Sequence, residues 1–526
     1  MSTSSQVFIE AVVEQVRPLY VAYTRAAWEA ATTGSDEANR REQEAQVAMM
    51  RYWADPGRHA EARRLHESGA AGDALQARQV RLIFLSSAKA QQDEETIQRL
   101  AQLEAEVRQT YYNYRGRVGG QEKTDNELDE ILAKSAEGRE VCEAWEASKQ
   151  IGAEVAERVR ELARVRNRAA QAQGFRDHFQ KSLLLDEIDE NELLDLFARL
   201  EAETRQPYAD LKARIDRERA RRFRVSETEL RPWHFGDRFF QRAPQMGDLD
   251  MDAFFAGQDP VALATATYDG LGLPVGAILA RSDLYPRPGK NQHAFCIDID
   301  RQGDVRTLNN LVPNHHWNET LLHELGHAVY DASIDPGLPW LLREPPHTLS
   351  TEAIALLMGG LTYDQEWLTS VAGVPAAEAA QAARAAGERE RAARLIFTRW
   401  CLVMTYFELA LYADPERELD GLWWDLVERY QLLRRPDGRR APDWASKYHV
   451  ALAPVYYHNY ELGYLCTAQL EDRVRRIAGG LVGRPQAGAW LVDKYFRPGA
   501  RQDWAAHIAQ STGEALNPRY FVESLS

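Results

Sequence analysis

The pentapeptide HELGH at residues 323–327 carries two histidines and a glutamate at the spacing of a metal site. On a helix, positions i and i+4 lie one turn apart on the same face, so His323 and His327 can reach one ion. Asn318 is expected to cap this helix. Glu324 would then lie beside the metal, where a carboxylate suits a general base acting on water. The alternative is a surface helix with two unrelated histidines, so a third ligand must decide.

Glu352, which follows His327 by 25 residues, is the predicted third ligand. Ser350 or Thr351 is expected to cap its helix, which places Glu352 in the first turn. The connection between the two helices is rich in Pro and Gly and long enough to return the second helix antiparallel to the first. Two histidines and one glutamate leave an open fourth position, as in catalytic zinc sites. We therefore predict one Zn²⁺ per chain, bound by His323, His327 and Glu352.

These motifs resemble two related groups of helical zinc peptidases. One is the angiotensin-converting-enzyme (peptidyl-dipeptidase) family, and the other is the thimet oligopeptidase and oligoendopeptidase F family. Both place a glutamate ligand about this far after HExxH, here in the stretch TEAIALL. The recognisable stretch, a zinc-binding core, runs from about residue 282 to 470, and the N-terminal half matches only in being helical. The resemblance implies one catalytic unit, residues 1–526, of two helical lobes around a deep central cleft.

The resemblance also assigns substrate contacts. His293 and Ala294, 30 residues before His323, match a His-Ala pair. In the family the histidine contacts a substrate carbonyl and the alanine backbone pairs with the peptide. Lys447 and His449 match a Lys-x-His element. Its lysine holds the C-terminal carboxylate of the substrate, and its histidine helps to stabilise the reacting carbonyl.

A Tyr-x-x-Tyr pair follows at Tyr457 and Tyr460. The second tyrosine of the family pair donates its phenol to the developing oxyanion, a role that a pre-positioned hydroxyl can fill. The spacing from His449 is one residue longer than in the converting enzymes and one shorter than in thimet oligopeptidases. Tyr456 and His458 therefore stay rivals for this role.

Two positions depart from the converting-enzyme pattern. Asn459 stands where the family has a chloride-binding arginine, which puts chloride activation in doubt. Leu356, four residues after Glu352, replaces a carboxylate. The residue that orients the metal histidines must therefore come from elsewhere in the chain.

The elements that position these residues are expected to be mostly helical. Long segments combine strong helix formers with apolar residues at three- and four-residue spacing. HAFCIDID and VRTLNNL, joined by a Gly-containing turn, are the expected strands, and the edge of the first could add a substrate strand. We predict a mainly α protein, a two-lobed helical zinc-peptidase fold with a small antiparallel sheet near the active site.

Composition limits the possible partners and location. A net charge of −15 argues against nucleic acid. The sequence shows no secretory signal, no apolar run long enough for a membrane helix and no CxxC pairing. We expect a cytoplasmic protein without a membrane partner, and the oligomeric state stays open. The four scattered cysteines are Cys142, Cys296, Cys401 and Cys466.

The predicted function is hydrolysis of short oligopeptides by a zinc metallopeptidase. His293-Ala294 and Lys447 favour a peptidyl-dipeptidase that releases C-terminal dipeptides. The context around Lys290, PGKNQHAF, resembles the endopeptidases and keeps internal cleavage as an alternative. A third alternative is a peptide-binding protein without catalysis, against which Glu324 and the three ligands argue.

Overall fold

The computed structural model describes residues 4–69, 72–244 and 250–525. It is 71% helical, so the predicted mainly α class is confirmed. Two small antiparallel sheets are present in the described residues, where the sequence predicted one. The additional sheet is a hairpin that turns at Gly119 and Gly120, both with positive φ. Such two-residue turns need φ values that glycine adopts without strain.

The regular elements run as follows. Up to residue 250 they are α1 (Ser4–Thr33), α2 (Asp36–Trp53), α3 (Pro56–Ser68), α4 (Ala74–Ala90), α5 (Glu94–Asn113), β1 (Gly116–Val118), β2 (Gln121–Lys123), α6 (Asp125–Lys134), α7 (Gly138–Ala172), α8 (His178–Leu185) and α9 (Glu190–Phe223). Beyond it they are α10 (Asp252–Phe255), α11 (Pro260–Gly270), α12 (Gly276–Leu279), β3 (Phe295–Asp298), β4 (Val305–Leu308), α13 (His315–Ser333), α14 (Thr348–Gly359), α15 (Gln365–Ser370), α16 (Ala376–Ala413), α17 (Leu419–Gln431), α18 (Tyr448–Leu452), α19 (Tyr457–Ala478), α20 (Pro485–Trp490), α21 (Trp504–Thr512) and α22 (Arg519–Ser524).

The chain divides into two compact units. Unit 1 comprises Met1–Gln91, Leu249–Ala386 and Gly463–Phe521. One of its hydrophobic clusters joins α1, α3 and α4 to the short helical turn Trp340–Leu342, and the apolar spacing along α1 supplies three of its members. The buried members of this cluster are Ile9, Val12, Val16, Ala62, Leu65, Val80, Ile83, Trp340 and Leu341.

Unit 2 comprises Gln92–Asp248, Gly387–Leu462 and Val522–Ser526. Its interior is rich in aromatic side chains in edge-on or tilted contact. The Trp400 ring lies 5.8 Å from that of Trp423, and Trp145 lies 6.2 Å from Trp424. Aromatic rings bury large apolar areas, so a few of them stabilise much of this unit.

Within the described residues, one helix, α16, is long and apolar enough by composition to cross a membrane. Of its most apolar 18-residue window, 78% is buried inside the protein. The buried core helix of a soluble protein can be equally long and apolar, so these properties of α16 are weak support for a membrane span.

In unit 1, the pair α13 and α14 is packed backbone to backbone at two glycines. A Cβ added to Gly326 would lie 2.9 Å from the Ala355 Cα, and one added to Gly359 would lie 3.4 Å from the Glu319 carbonyl oxygen. Residue 326 thus faces 355 while 319 faces 359, so the helices run antiparallel as predicted. The missing side chains allow an approach that larger residues would prevent.

Replacing Gly326 by alanine should lower the free energy of unfolding by about 1–3 kcal/mol, because the new methyl group overlaps backbone atoms that cannot move aside. Helix propensity alone predicts the opposite, a gain of about 0.5–1 kcal/mol. Gly387→Ala in α16 is the matched control, since only the flexible end of Arg391 lies near its added Cβ. Urea unfolding of both variants measures the difference. A Gly326→Ala protein as stable as Gly387→Ala would contradict the packing argument.

Candidate metal centre and substrate-binding residues

The helix that carries HELGH begins earlier than predicted. Asn314 is its cap, with an extended backbone and a side chain that accepts a hydrogen bond from the Trp317 N–H. Asn318, the predicted cap, lies inside the first turn and donates to the Asn314 carbonyl oxygen at 2.7 Å. The prediction was wrong because His315 already has helical geometry.

The helix that carries Glu352 also begins earlier. His347 caps α14, since its side chain accepts from the Leu349 N–H, so Ser350 and Thr351 are helical and neither is the cap. Glu352 is therefore the fifth residue of the helix and lies just beyond the first turn. This position frees Thr351 for another contact, described below.

Three ligand groups converge where α13 and α14 meet. The His323 Nε2 lies 3.7 Å from the Glu352 Oε1, and the His327 Nε2 lies 3.4 Å from the Glu352 Oε2. All three ligand atoms lie within 4.8 Å of one another. Zinc bonds of about 2.0–2.2 Å in a tetrahedron separate ligand atoms by about 3.3–3.6 Å. The residues therefore fit a metal ion of this kind.

The charge states of His323 and Glu352 also suit a metal, whereas the raised pKa of His327 favours a protonated ring that must lose a proton to bind one. Burial lowers the pKa of His323 to about 4, which keeps its imidazole neutral. Burial opposes ionisation of Glu352, but its hydrogen bond with His327 holds the carboxyl pKa below the ordinary value. The same contact overcomes burial and raises the pKa of His327. A neutral imidazole and an ionised carboxylate are the forms that bind metals.

Glu324 is buried beside this group, with 7% of its surface exposed. Burial raises the pKa of its carboxyl to about 7. It is not one of the three residues whose ligand atoms converge. Its position next to His323 on α13 leaves it adjacent to the metal site as a proton acceptor.

Thr351 orients one of the metal histidines. Its Oγ1 lies 2.8 Å from the Nδ1 of His327, on the opposite side of the ring from the nitrogen that faces Glu352. A proton on Nδ1, donated to the hydroxyl, leaves Nε2 with the lone pair that a metal needs. The sequence left this partner unassigned, because Leu356 stands where a carboxylate was expected.

Thr351→Val should weaken zinc binding by roughly 10- to 100-fold, because the shape is kept while the hydroxyl that fixes the His327 ring is lost. Thr351→Ser retains the hydroxyl and should bind zinc as the parent does. Competition against a chelator of known affinity measures both. If the valine variant holds zinc as tightly as the serine variant, Thr351 does not orient the ligand.

The predicted strands before HELGH are confirmed as β3 and β4, with Phe295 paired to Leu308 and Asp298 to Val305. Ile299 donates to Asp304 in this ladder, so by alternation the backbone N–H and C=O of Cys296 point to the other edge of β3. In the part of the chain that the structure describes, this edge has no backbone partner at Cys296. His293 and Ala294 lead directly into it, and His293 is exposed. Farther along the same edge, the Asp298 carbonyl oxygen accepts a hydrogen bond from the Tyr20 hydroxyl at 2.9 Å. Only the start of the edge, at Ala294 and Cys296, is therefore available to an extended peptide.

Lys290 anchors the loop before β3. Its ammonium is buried and donates to the Asp283 carboxylate at 2.8 Å and to the carbonyl oxygens of Asp283, Tyr285 and Asn309. These bonds tie the loop to the end of β4. The role of Lys290 is therefore structural, and it positions His293 and Ala294.

Lys447 lies in unit 2 in an aromatic surround. Its Nζ is 5.1 Å from the ring centre of Phe239, 5.2 Å from that of Trp400 and 5.5 Å from that of Tyr457. It donates to the Gln241 Oε1 at 2.8 Å. Burial lowers its pKa to about 8. Gln241 was missed from the sequence, since it lies 206 positions away and carries no motif.

His449 and the tyrosines follow in the same unit. The His449 ring lies 5.1 Å from Tyr457, which lies 5.5 Å from Tyr460. Burial lowers the pKa of His449 to about 4, and its Nδ1 is buried without a hydrogen-bond partner among the described residues. The ring is therefore neutral near pH 7 and has one N–H to donate.

Two of the three oxyanion candidates remain after the structure is considered. Tyr460 is 40% exposed and Tyr456 is 39% exposed, whereas His458 is 2% exposed. A group that donates to a substrate must be accessible, so burial disfavours His458. The roles of Tyr460 and its neighbours stay predictions.

Comparison with known families gives one match. The family model for peptidase M2, angiotensin-converting enzyme, matches residues 1–234. The chain resembles the angiotensin-converting-enzyme family. A search of curated proteins returned no match.

The matched segment covers less than half of the chain and ends before HELGH. The expectation that the N-terminal half matches only in being helical was therefore wrong. A divergent helical sequence carries few short motifs. A comparison over the whole segment therefore detects a family relationship that short motifs do not reveal. The match supports a metallopeptidase, and it is separate from the cluster of His323, His327 and Glu352, which is a possible metal site.

Proposed function

We propose that the protein is a zinc-dependent peptidase that hydrolyses short oligopeptides. The observation that carries the proposal is the convergence of His323, His327 and Glu352, with Glu324 buried next to them. Two histidines and a carboxylate leave a coordination position open, as catalysis requires and structural zinc sites do not. The family match supports the same class of enzyme.

Zinc held by these three residues would polarise the scissile carbonyl and acidify water. The protein supplies the proton transfers. The carboxylate of Glu324 takes a proton from the attacking water and delivers it to the departing amine, so the base of the first step is the acid of the second.

The peptide backbone would bind at the start of the outer edge of β3, before Asp298. Ala294 and Cys296 present backbone groups there, and an added strand binds through main-chain hydrogen bonds whatever its side chains. This mode suits varied extended peptides. Folded proteins rarely offer such a free strand, so short unfolded peptides are the proposed substrates.

Release of C-terminal dipeptides is the proposed mode of cleavage. Lys447 is a buried ammonium whose hydrogen-bond partner, Gln241, is neutral, so it can still attract a terminal carboxylate. The resemblance gives His449 and Tyr460 the role of stabilising the reacting carbonyl. A neutral His449 that carries its proton on Nε2 would be a suitable donor.

The proposed setting is the cytoplasm. All four cysteines are free thiols in the structure, as expected in a reducing compartment. The net charge of −15 disfavours nucleic acid as a partner. Detection of the protein in a soluble, reducing cell fraction would support the location, and a disulfide-linked form would contradict it.

Glu324→Gln should lower kcat for peptide hydrolysis by about 10²- to 10⁴-fold, since the amide cannot accept the proton of the attacking water. The variant should still bind one zinc ion per chain. Glu378→Gln, an exposed position at the start of α16, is the matched control and should leave the rate unchanged. A Glu324→Gln enzyme as fast as this control would disprove the mechanism. If the protein only binds peptides, the parent and both variants should show no peptide hydrolysis.

One oligopeptide with a free or an amidated C-terminus separates the two modes of cleavage. The free acid should be hydrolysed about 10- to 100-fold faster, because only its carboxylate attracts Lys447. In Lys447→Met this preference should disappear, with the amidated peptide as the internal control for folding. Product analysis by mass spectrometry identifies the bond that is cut. Equal rates for both peptides in the parent enzyme would support the endopeptidase instead.

A further inference from the structure

A cavity of about 220 Å³ lies within unit 2, away from the residues discussed above. Its apolar walls include Leu100, Ala169 and Leu452. Its polar lining includes Glu104, Arg166, His178 and Lys181. Helices α5, α7, α8 and α18 contribute these residues. A space with apolar sides and a few charged groups is the usual form of a small-molecule site.

The exceptional group in this cavity is the ammonium of Lys181. Lys181 is 5% exposed, yet across residues 4–69, 72–244 and 250–525 its ammonium has no hydrogen-bond or ion-pair partner. Among the described residues, Lys212 is paired with Asp216 at 2.6 Å and Lys290 with Asp283. The buried ammonium of Lys149 lies 3.3 Å from the ring centre of Phe239 instead. A buried cation without a partner is unfavourable, so an anion in the cavity would stabilise it.

The other polar groups leave this charge uncompensated. Arg166 is paired with Glu104 at 2.9 Å and also donates to the Ala451 carbonyl oxygen. Burial, with help from Arg166 and Lys181, lowers the pKa of His178 to about 3, so this ring is neutral. Burial lowers the pKa of Lys181 to about 8, which still leaves most of it charged at neutral pH. The cavity therefore has a net positive charge.

We propose that this cavity binds a small organic carboxylate, with its anionic end on Lys181 and its carbon chain against Leu100, Ala169 and Leu452. The single uncompensated cation selects a monoanion. The apolar walls favour an anion with a short hydrocarbon part over an inorganic one, because burying that part adds hydrophobic free energy. The metal site of unit 1 takes no part in this binding.

Titration calorimetry with butyrate tests the proposal on the full-length protein. Butyrate should bind at one site per chain and raise the thermal unfolding midpoint, since a ligand of the native state stabilises it. Butyramide, which has the same chain without the charge, should not bind. Chloride should bind more weakly than butyrate, because it gains nothing from the apolar walls. No binding of butyrate, or equal binding of chloride or butyramide, would overturn the proposal.

Two variants remove the charge and the space separately. Lys181→Met keeps the length of the side chain and should weaken butyrate binding at least about tenfold. Ala169→Phe keeps the charge but fills the cavity, and should have the same effect. Lys134→Met removes an exposed lysine of the same unit and is the control. Unfolding curves confirm that each variant folds, and unchanged butyrate binding in both cavity variants would place the ligand elsewhere.

Discussion

The metal centre depends on the close contact of α13 with α14 at Gly326. Because this residue has no side chain, the backbone of α14 at Ala355 can come within reach of α13. The same approach brings a glutamate from one helix to two histidines of the other, with all three ligand atoms within 4.8 Å. Each ligand is fixed by its own helix, so the geometry of the site follows from the packing of the pair.

Three buried lysines of this protein lie in very different surroundings. Lys290 is surrounded by oxygen atoms and has a structural role. Lys447 lies among aromatic rings with one amide partner, so it keeps attraction for an added anion. Lys181 faces a cavity and has no partner among the described residues. The free energy of a buried ammonium is set by its surroundings, and these differ sharply between Lys290, Lys447 and Lys181.

Two independent observations support the enzyme class, and they come from different parts of the chain. The family match lies in residues 1–234, and the ligands lie at 323–352. The first concerns a long helical segment in which no residue has an evident chemical role. The second concerns a few residues in a defined geometry. Fold relationships alone do not establish an activity, so the metal cluster carries the functional argument.

The sequence alone determined the features that depend on local spacing. The i, i+4 histidines of HELGH, the helix that carries Glu352, the β3–β4 hairpin and the mainly α class follow from periodicities of three to four or two residues along the chain. The predicted starts of α13 and α14 were too late by several residues. Asn314 and His347 cap these helices and accept hydrogen bonds from their first N–H groups, where later residues were expected to do so.

Only the tertiary structure decided which distant residues meet. Thr351 contacts His327 across 24 positions of the chain, and Gln241 contacts Lys447 across 206. The absence of a partner for the Lys181 ammonium was likewise visible only in the structure. No local pattern marks them, because hydrogen bonds and burial between remote segments depend on how helices pack. The metal ligands could thus be inferred from the spacing of residues along the chain, whereas the residue that orients His327 could not.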